Sequence, residues 1–462
     1  MGQYDASQNM IAEVILKNRK VTITKLRENE LQAKVEANKE KDTAGDNVNT
    51  TEEKESEAAA PKEMLRIEKE NEETQSLFLD QSAKVVDDKG QEISKLPLWD
   101  YADQVKREFY RNLLQQKYND IENLIVLSGA GTSVGIGKGK KGLTMSGLWD
   151  ALTKSDKKDC LKVLIKKAGD YKGKDLEELL SLATMFHSVN KDSDLLDAID
   201  TVKDFIVQEC TLLLESEAPH RAFLTKIGLR PQKFPRVKLF TLNYDTLFEQ
   251  AAVAERFTVI DGFTFSNPRV FNGKYFDYDI IETRHNRQDK KDSTIAKLFY
   301  LFKMHGSLNW RKNTNEIEQT EEPIKTNERV MIFPQSNKYE HSYEQPYFEM
   351  MARFQQALRA ENTLLITIGF SFYDKHISSV VLESLKQNPS LNLICITFSE
   401  VVGKSADHQV ELHRICDFQS RVTLVAESFA DFTEQFPENL AHRRLDVLDS
   451  LNEYLTKKTP SE

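Results

Sequence analysis

The 462-residue chain has little of what secreted, membrane-spanning or nucleic-acid-coating proteins are built from. It holds only 4 cysteines, Cys160, Cys210, Cys395 and Cys416, with no short paired spacing. That spacing excludes a disulfide framework and a Cys-x-x-Cys zinc clip, so a reducing, cytoplasmic setting is expected. No apolar run approaches the roughly 20 residues that a membrane helix needs. The opening segment MGQYDASQNM lacks the apolar stretch of a signal peptide, and no membrane partner is expected. An excess of positive charge is missing too: 63 Lys and Arg stand against 73 Asp and Glu, a net charge of −10. Sequence-independent binding to nucleic acid rests on neutralising phosphates, so nucleic acid is not expected as a direct partner. No internal repeat is present.

Residues 1–95 read as a charged N-terminal arm, flexible or docking. Between Thr51 and Gln75, 13 of 25 residues are charged, too many to bury the apolar surface that offsets ordering entropy. This stretch reads as flexible or helical, while Ile11 to Ile23 has enough Val and Ile for a short hairpin or strand. From 96 to 437 the pattern is globular. A helix over Tyr101 to Tyr118 leads into the aliphatic run Leu124 to Leu127, and similar runs recur at Val237–Leu242, Leu298–Met304, Val330–Phe333, Leu364–Ile368, Leu393–Phe398 and Val422–Val425. Short buried strands separated by helical lengths predict an α/β fold, a Rossmann-like doubly wound parallel sheet. Residues 147–230 carry helical periodicity instead. Leu176, Leu179, Leu180, Ala183 and Phe186 share one face, and Ile199, Val202, Phe205, Ile206 and Leu213 another, which predicts a helical insertion. Residues 262–297 read as a polar excursion beside the sheet, and 438–462 as a C-terminal helix and tail.

Four motifs stand at the ends of these runs, where doubly wound sheets gather their ligands. The first is Ser128-Gly129-Ala130-Gly131-Thr132-Ser133. Its glycines let the backbone approach a pyrophosphate, and a helix start behind it would offer free N–H groups; a flexible strand-to-helix turn is the simpler alternative. Seven of the chain's 18 glycines lie between Gly129 and Gly147. The second, Thr241-Leu242-Asn243-Tyr244-Asp245, sets a carboxamide and a carboxylate where they reach a ribose or a water, although Asp245 equally suits a helix cap. The third, Lys303-Met304-His305-Gly306-Ser307, supplies a side chain able to exchange a proton near neutral pH. In the fourth, Gly369-Phe370-Ser371-Phe372-Tyr373-Asp374, Gly369 and Ser371 suit phosphate or ribose, and Asp374 suits the next helix N-terminus. Lys138, Lys140 and Lys141 form a basic stripe that reads as a solvated loop rather than a nucleic-acid contact.

In this order the four motifs resemble the sirtuin superfamily over about 120–430, and most of all the sirtuin-like proteins of bacterial anti-phage systems. The resemblance implies that NAD is bound as substrate across the sheet's switch point and that its nicotinamide N-glycosidic bond is cleaved. By that likeness Asn243 positions a water or steadies the ribosyl cation, His305 accepts a proton and Asp245 orients Asn243 or the ribose. Gly129, Ala130, Gly131, Thr132, Ser133, Gly369, Ser371 and Asp374 would hold the ADP-ribose part. The two Cys-x-x-Cys pairs of the zinc-holding deacylases are missing, so no zinc is expected. The Pro-x-Phe-Arg segment of those enzymes is replaced by Gly135-Ile136-Gly137-Lys138-Gly139-Lys140-Lys141-Gly142, which also speaks against peptide deacylation. The likeness further implies a homo-oligomer. Because the chain ends soon after Phe436, a partner supplied in trans is expected, a HerA-type hexameric ATPase. Two rival readings are a sensor that binds NAD or a cyclic ADP-ribose signal without turnover, and a scaffold subunit for such an ATPase.

Overall fold

A computed structural model describes residues 91–437, with breaks at 95, 97, 119–120, 229, 231–233, 283–292, 314–315, 334–344 and 399–406, and the backbone of five strands between Ile15 and Val86. The expected C-terminal helix and tail at 438–462 lie outside the described residues. Two compact units divide the chain: residues 1–113, 371–382 and 392–435 form the first, and residues 114–370, 383–391 and 436–462 the second.

The first unit begins with an antiparallel meander of β1 (Ile15–Asn18), β2 (Val21–Lys25), β3 (Lys62–Lys69), β4 (Gln75–Leu79), β5 (Val85–Val86) and β6 (Glu92–Ser94). The hairpin expected within Ile11 to Ile23 is β1 against β2, with Leu16 opposite Ile23. The charged stretch from Thr51 to Gln75, by contrast, contains β3 rather than a helix. Charge density reports how side chains are solvated, whereas a ladder is bonded by main-chain groups that every one of these residues carries. The meander leads into α1 (Leu98–Tyr118).

The second unit opens with β7 (Asn123–Ser128), then five helices: α2 (Met145–Lys154), α3 (Lys158–Lys167), α4 (Leu176–Asn190), α5 (Ser193–Cys210) and α6 (Pro219–Gly228). These fill the segment where helical periodicity predicted an insertion. Asp175 starts α4 by accepting from the N–H groups of Glu177 and Glu178, and Asp192 starts α5 by accepting from that of Leu195, each cap stabilising its helix by about 1 kcal/mol. The stripes Leu176, Leu179, Leu180, Ala183 and Ile199, Val202, Phe205, Ile206 meet in one core with Leu152 and Leu164. Each such aliphatic or aromatic side chain contributes about 1.5–3 kcal/mol on burial. Leu213 does not join them: α5 ends at Cys210, and Leu213 is exposed.

After α6 come β8 (Lys238–Thr241), α7 (Leu247–Ala254), β9 (Thr258–Ile260), the short β10 (Arg269–Val270), β11 (Ile281–Glu282) and β12 (Ser293–Thr294), then β13 (Leu298–Lys303), β14 (Gly306–Asn313), β15 (Glu316–Gln319), β16 (Arg329–Met331), α8 (Tyr347–Arg359) and β17 (Thr363–Ile368). Five of these strands form a parallel sheet in the order β17-β7-β8-β13-β9. Every residue of β17 is buried, which is why it reads as an unbroken Thr-Leu-Leu-Ile-Thr-Ile run. Phe354 of α8 packs on Phe240 of β8 at 4.9 Å between ring centres, and Phe302 of β13 stacks on Phe240 at 4.4 Å. The run Val330–Phe333 is not part of this sheet. Its strand β16 pairs antiparallel with β14 in a separate four-stranded sheet built around buried Trp310. Periodicity cannot tell the two cases apart, since both bury a short apolar run.

The remaining elements are α9 (Lys375–Gln387), β18 (Asn392–Thr397), α10 (Asp407–Phe418), β19 (Val422–Ala426) and α11 (Phe429–Gln435). In the first unit β18 and β19 run parallel, and β1 joins the other edge of β19 antiparallel, with Leu16 opposite Val425. Beneath them the Lys106 ammonium lies 2.5 Å from Glu427 Oε1, and the buried Tyr110 hydroxyl donates to Glu427 Oε2 at 2.9 Å. No helix among the described residues is long and apolar enough to cross a membrane.

Candidate functional site

Pairing register brings the motifs of the second unit to one line. Ile368 of β17 is paired with Ser128 of β7, Ser128 with Thr241 of β8, and Thr241 with Lys303 of β13. Each motif leaves the sheet from this row of four residues: Gly369 and Gly129 directly after it, Asn243 and His305 two residues beyond it. The strands are bonded across at the same level, with Leu242 N–H donating to Ser128 O and Met304 N–H to Thr241 O, both at 2.9 Å. Parallel strands carry all four segments out of the same edge, which is where such sheets bind ligands.

The two glycine-bearing ends pack backbone to backbone. Gly129 N–H donates to Ile368 O and Gly131 N–H to Gly369 O, each at 2.9 Å. A Cβ on Gly131 would stand 2.6 Å from Gly369 Cα, and one on Gly369, whose φ is +61°, would stand 2.6 Å from Thr132 N. Both glycines are therefore required by mutual approach, and Gly369 by its conformation as well. The expected helix start behind the loop is not there. A single 3-10 turn, Ala130–Thr132, follows Gly129, and the first α-helix begins at Met145. The loop amides of Gly129, Gly131, Thr132, Ser133 and Val134 all bond to main-chain carbonyls within the unit. The cradle of free helical N–H groups foreseen for a pyrophosphate is thus replaced by a self-bonded turn.

Asn243, 9% exposed, ties β8 to this turn. Its Nδ2 lies 3.0 Å from Gly129 O, 3.0 Å from Thr132 Oγ1 and 2.9 Å from Ser133 Oγ. A carbonyl oxygen can only accept, so Gly129 O fixes which end of the carboxamide is nitrogen, and its two protons are shared among three acceptors. Thr132 Oγ1 in turn donates to Gly129 O at 2.9 Å, which leaves the Ser128 hydroxyl, 2.8 Å away, as donor to Thr132. Ser133 Oγ donates to Asp245 Oδ2 at 2.6 Å. The capping role weighed for Asp245 is seen at Oδ1, which accepts from Leu247 N–H at 3.0 Å at the start of α7. The chain Asn243–Ser133–Asp245 is a closed polar network at the strand ends.

His305 is half-buried. Its main-chain carbonyl accepts from Ile332 N–H at 2.9 Å. Gly306 behind it has φ +82° and a Cβ position 2.1 Å from Val330 O, so only glycine allows β14 to close on β16 there. Gly306 thus shapes the sheet junction next to the histidine.

One residue of this motif carries more than the sequence disclosed. Lys303, 2% exposed, directs its ammonium at the carbonyls of Tyr244 at 3.2 Å and of Asp245, and at Glu249 Oε1 at 2.9 Å. Burial pushes the Glu249 carboxyl up, against the pull of Lys303. A lysine closing an otherwise apolar strand was the available signal; its partner, one turn into α7, has no mark in the sequence.

The loop from Gly135 to Gly142 is strapped to the end of the helical insertion. Lys138 N–H donates to Leu213 O at 2.8 Å and Gly137 N–H to Glu215 Oε1 at 2.9 Å. Lys140 pairs with Glu209 at 3.2 Å, and Lys141 with Glu215. Gln250 of α7 holds the same segment through Leu212 O and Leu214 N. Two of the three stripe lysines are thus ion-paired within the unit. Nearby, burial, with Asp245 and Glu209 adding to it, pushes the Cys210 thiol up to about 12, which keeps it protonated and inert.

Ser371 and Asp374 belong to the first unit. Ser371 is exposed. Asp374 Oδ1 accepts from His376 N–H at 3.1 Å and Ile377 N–H at 3.3 Å, the capping role weighed for it. Among the described residues no group of three or more His, Cys, Asp or Glu is arranged to hold a metal ion.

Residues 237–413 match the family model of the SIR2-like domain, less than half of the chain. The match spans Asn243, Asp245, His305, Gly369, Ser371 and Asp374 and begins after the glycine loop. No curated protein matches the chain. Over residues 237–413 the chain is therefore similar to the SIR2-like domain family, and the Gly129–Ser133 turn preceding that segment is hydrogen-bonded to its Asn243, Asp245 and Gly369.

Proposed function

We propose that this chain is an NAD glycohydrolase whose active site lies at the β7, β8, β13 and β17 strand ends. The observation that carries the reading is the paired row Ile368–Ser128–Thr241–Lys303, which aligns the two glycine turns with Asn243 and His305. The Asn243 carboxamide and the His305 imidazole suit the nicotinamide ribose of NAD, and the close-packed turns at Gly129, Gly131 and Gly369 stand beside Asn243. In the reaction the C1′–N bond breaks and nicotinamide leaves neutral with the electron pair. Water oxygen bonds to C1′ and its proton passes to His305. The Asp245 carboxylate offers negative charge to the cationic ribose as the bond opens. ADP-ribose and nicotinamide are the products, or a cyclised ADP-ribose where an internal nucleophile replaces water.

NAD loss harms any cell that carries such an enzyme, so the reading includes control by assembly. A homo-oligomer, and a HerA-type hexameric ATPase as partner in anti-phage defence, remain part of this proposal. The strap between the Gly135–Gly142 loop and the insertion would give such control a route, because a change at the insertion would reach the loop next to the glycine turn.

The test follows nicotinamide and ADP-ribose by chromatography after mixing the full chain with NAD, alone and with the ATPase. His305→Ala and Asn243→Ala are each expected to lower release by about two to four orders of magnitude. Release undiminished in both variants would refute the reading. NAD bound without turnover under either condition would favour the sensor.

A further inference from the structure

Lys303 is a buried cation that the chemistry above does not use. An ammonium offers three N–H donors, and its three acceptors are the main-chain oxygens of Tyr244 and Asp245 and Glu249 Oε1. Two of these belong to the peptide units on either side of Asp245, directly after Asn243-Tyr244. Tyr244 O also accepts from Leu308 N–H at 3.1 Å and from the Ser307 hydroxyl at 3.4 Å. All these donors come from the segment that also bears His305. The turn carrying the carboxamide and carboxylate is therefore fastened to the segment carrying the imidazole.

We propose that Lys303 is a positioning residue: its ammonium clamps the Tyr244 and Asp245 carbonyls and so fixes Asn243 and Asp245 against the glycine turn and in line with His305. Glu249 completes the device. A bare positive charge this close would oppose the ribosyl cation, and the Glu249 carboxylate cancels it, leaving the Asp245 carboxylate as the net charge at the strand ends. The catalytic consequence rests on the glycohydrolase reading; the clamp itself is a statement about the turn.

The experiment compares wild type, Lys303→Met and Glu249→Gln as full chains, with steady-state kinetics on NAD beside amide hydrogen exchange. Methionine keeps the side chain out to Cε and removes the donors. With the turn released, kcat is expected to fall about 100-fold, the scale of a misplacement near 1 Å. KM for NAD is expected to stay within about threefold, since the glycine turns are intact. Exchange should quicken at residues 243–247 and not elsewhere. Glu249→Gln keeps an acceptor for Lys303 and folds without a buried unpaired lysine donor, so it is expected to retain the slow exchange and lose no more than about tenfold in kcat. Slow exchange at the turn in Lys303→Met, or exchange raised uniformly across the chain, overturns the proposal, as does a folded Lys303→Met with wild-type kcat. Should wild type itself release no nicotinamide, the glycohydrolase reading fails and the exchange comparison alone decides the clamp.

Discussion

Among the described residues each unit holds a buried lysine paired with a glutamate, and the two pairs are wired differently. In the first unit Lys106 meets Glu427 at 2.5 Å, with Asp103 at 3.0 Å and the Tyr110 hydroxyl on the second carboxylate oxygen. All of these partners are side chains, on α1 and just after β19, and Phe432 closes edge-on over Tyr110 at 5.4 Å. In the second unit Lys303 meets Glu249 at 2.9 Å, but its other two partners are main-chain carbonyls of a turn that bears site residues. The same kind of ion pair thus joins side chains in one place and, in the proposal above, fixes candidate site groups in the other. What separates them is the remaining hydrogen-bond capacity of the ammonium and where it is directed.

Removing the first cation tests this contrast most severely. Lys106→Met leaves a carboxylate and a phenol buried together without their counter-charge, and is expected to cost about 3–5 kcal/mol. Urea unfolding would measure the loss, while kcat of the molecules still folded should equal wild type, unlike Lys303→Met. A drop in kcat would erase the distinction between the pairs. Gly369→Ala comes next. A side chain at φ +61° against Gly131 and Thr132 forces the two glycine turns apart, and NAD binding by calorimetry is expected to weaken at least about tenfold. Equal affinity would separate the turns from the ligand.

The units should also differ in their response to pH. His220, buried against Phe248 in the second unit, is lowered by burial to about 3, whereas an unfolded histidine titrates near 6.5. Between those values only the unfolded chain holds the proton. Stability is therefore full above about pH 6.5 and falls in acid by up to about 1.4 kcal/mol per pH unit. His220→Leu should flatten that slope in melting curves taken from pH 7 to 4. Glu427 in the first unit is raised by burial, partly opposed by Lys106. Its contribution has the opposite sign: present at low pH and lost as pH rises through its folded value. A histidine variant that keeps the wild-type slope would show that acid sensitivity originates elsewhere. The smallest effect is expected from Lys141→Ala, whose exposed pair with Glu215 is worth less than about 1 kcal/mol. Urea midpoints would detect anything larger, and a larger loss would mean that the strap to the insertion is a structural joint of the second unit.

The helices of the insertion were legible because each stripe and each cap is local: Asp175 and Asp192 stand at the start of their own apolar patterns. Strand runs were legible as buried segments, but not by sheet. Val330–Phe333 reads like Leu364–Ile368 although one pairs antiparallel beside Trp310 and the other lies in the parallel sheet. β9 escaped notice, being only three residues long. At the site, the motifs could be read and their wiring could not. No spacing rule states that Asn243 reaches Ser133 across more than a hundred residues, or that Lys303 and Glu249 meet.

The sequence by itself determined the α/β character, the helical insertion and the four motif-bearing strand ends, because burial periodicity, caps and glycine content act within a few residues. Only the tertiary structure decided that Ile368, Ser128, Thr241 and Lys303 share one row, that the glycine turn bonds to itself rather than opening a helix, and that a buried lysine fastens the turn beyond Asn243. Those outcomes depend on strand register and on which main-chain oxygens remain to be satisfied once the sheet has closed, and both are properties of the whole packed unit.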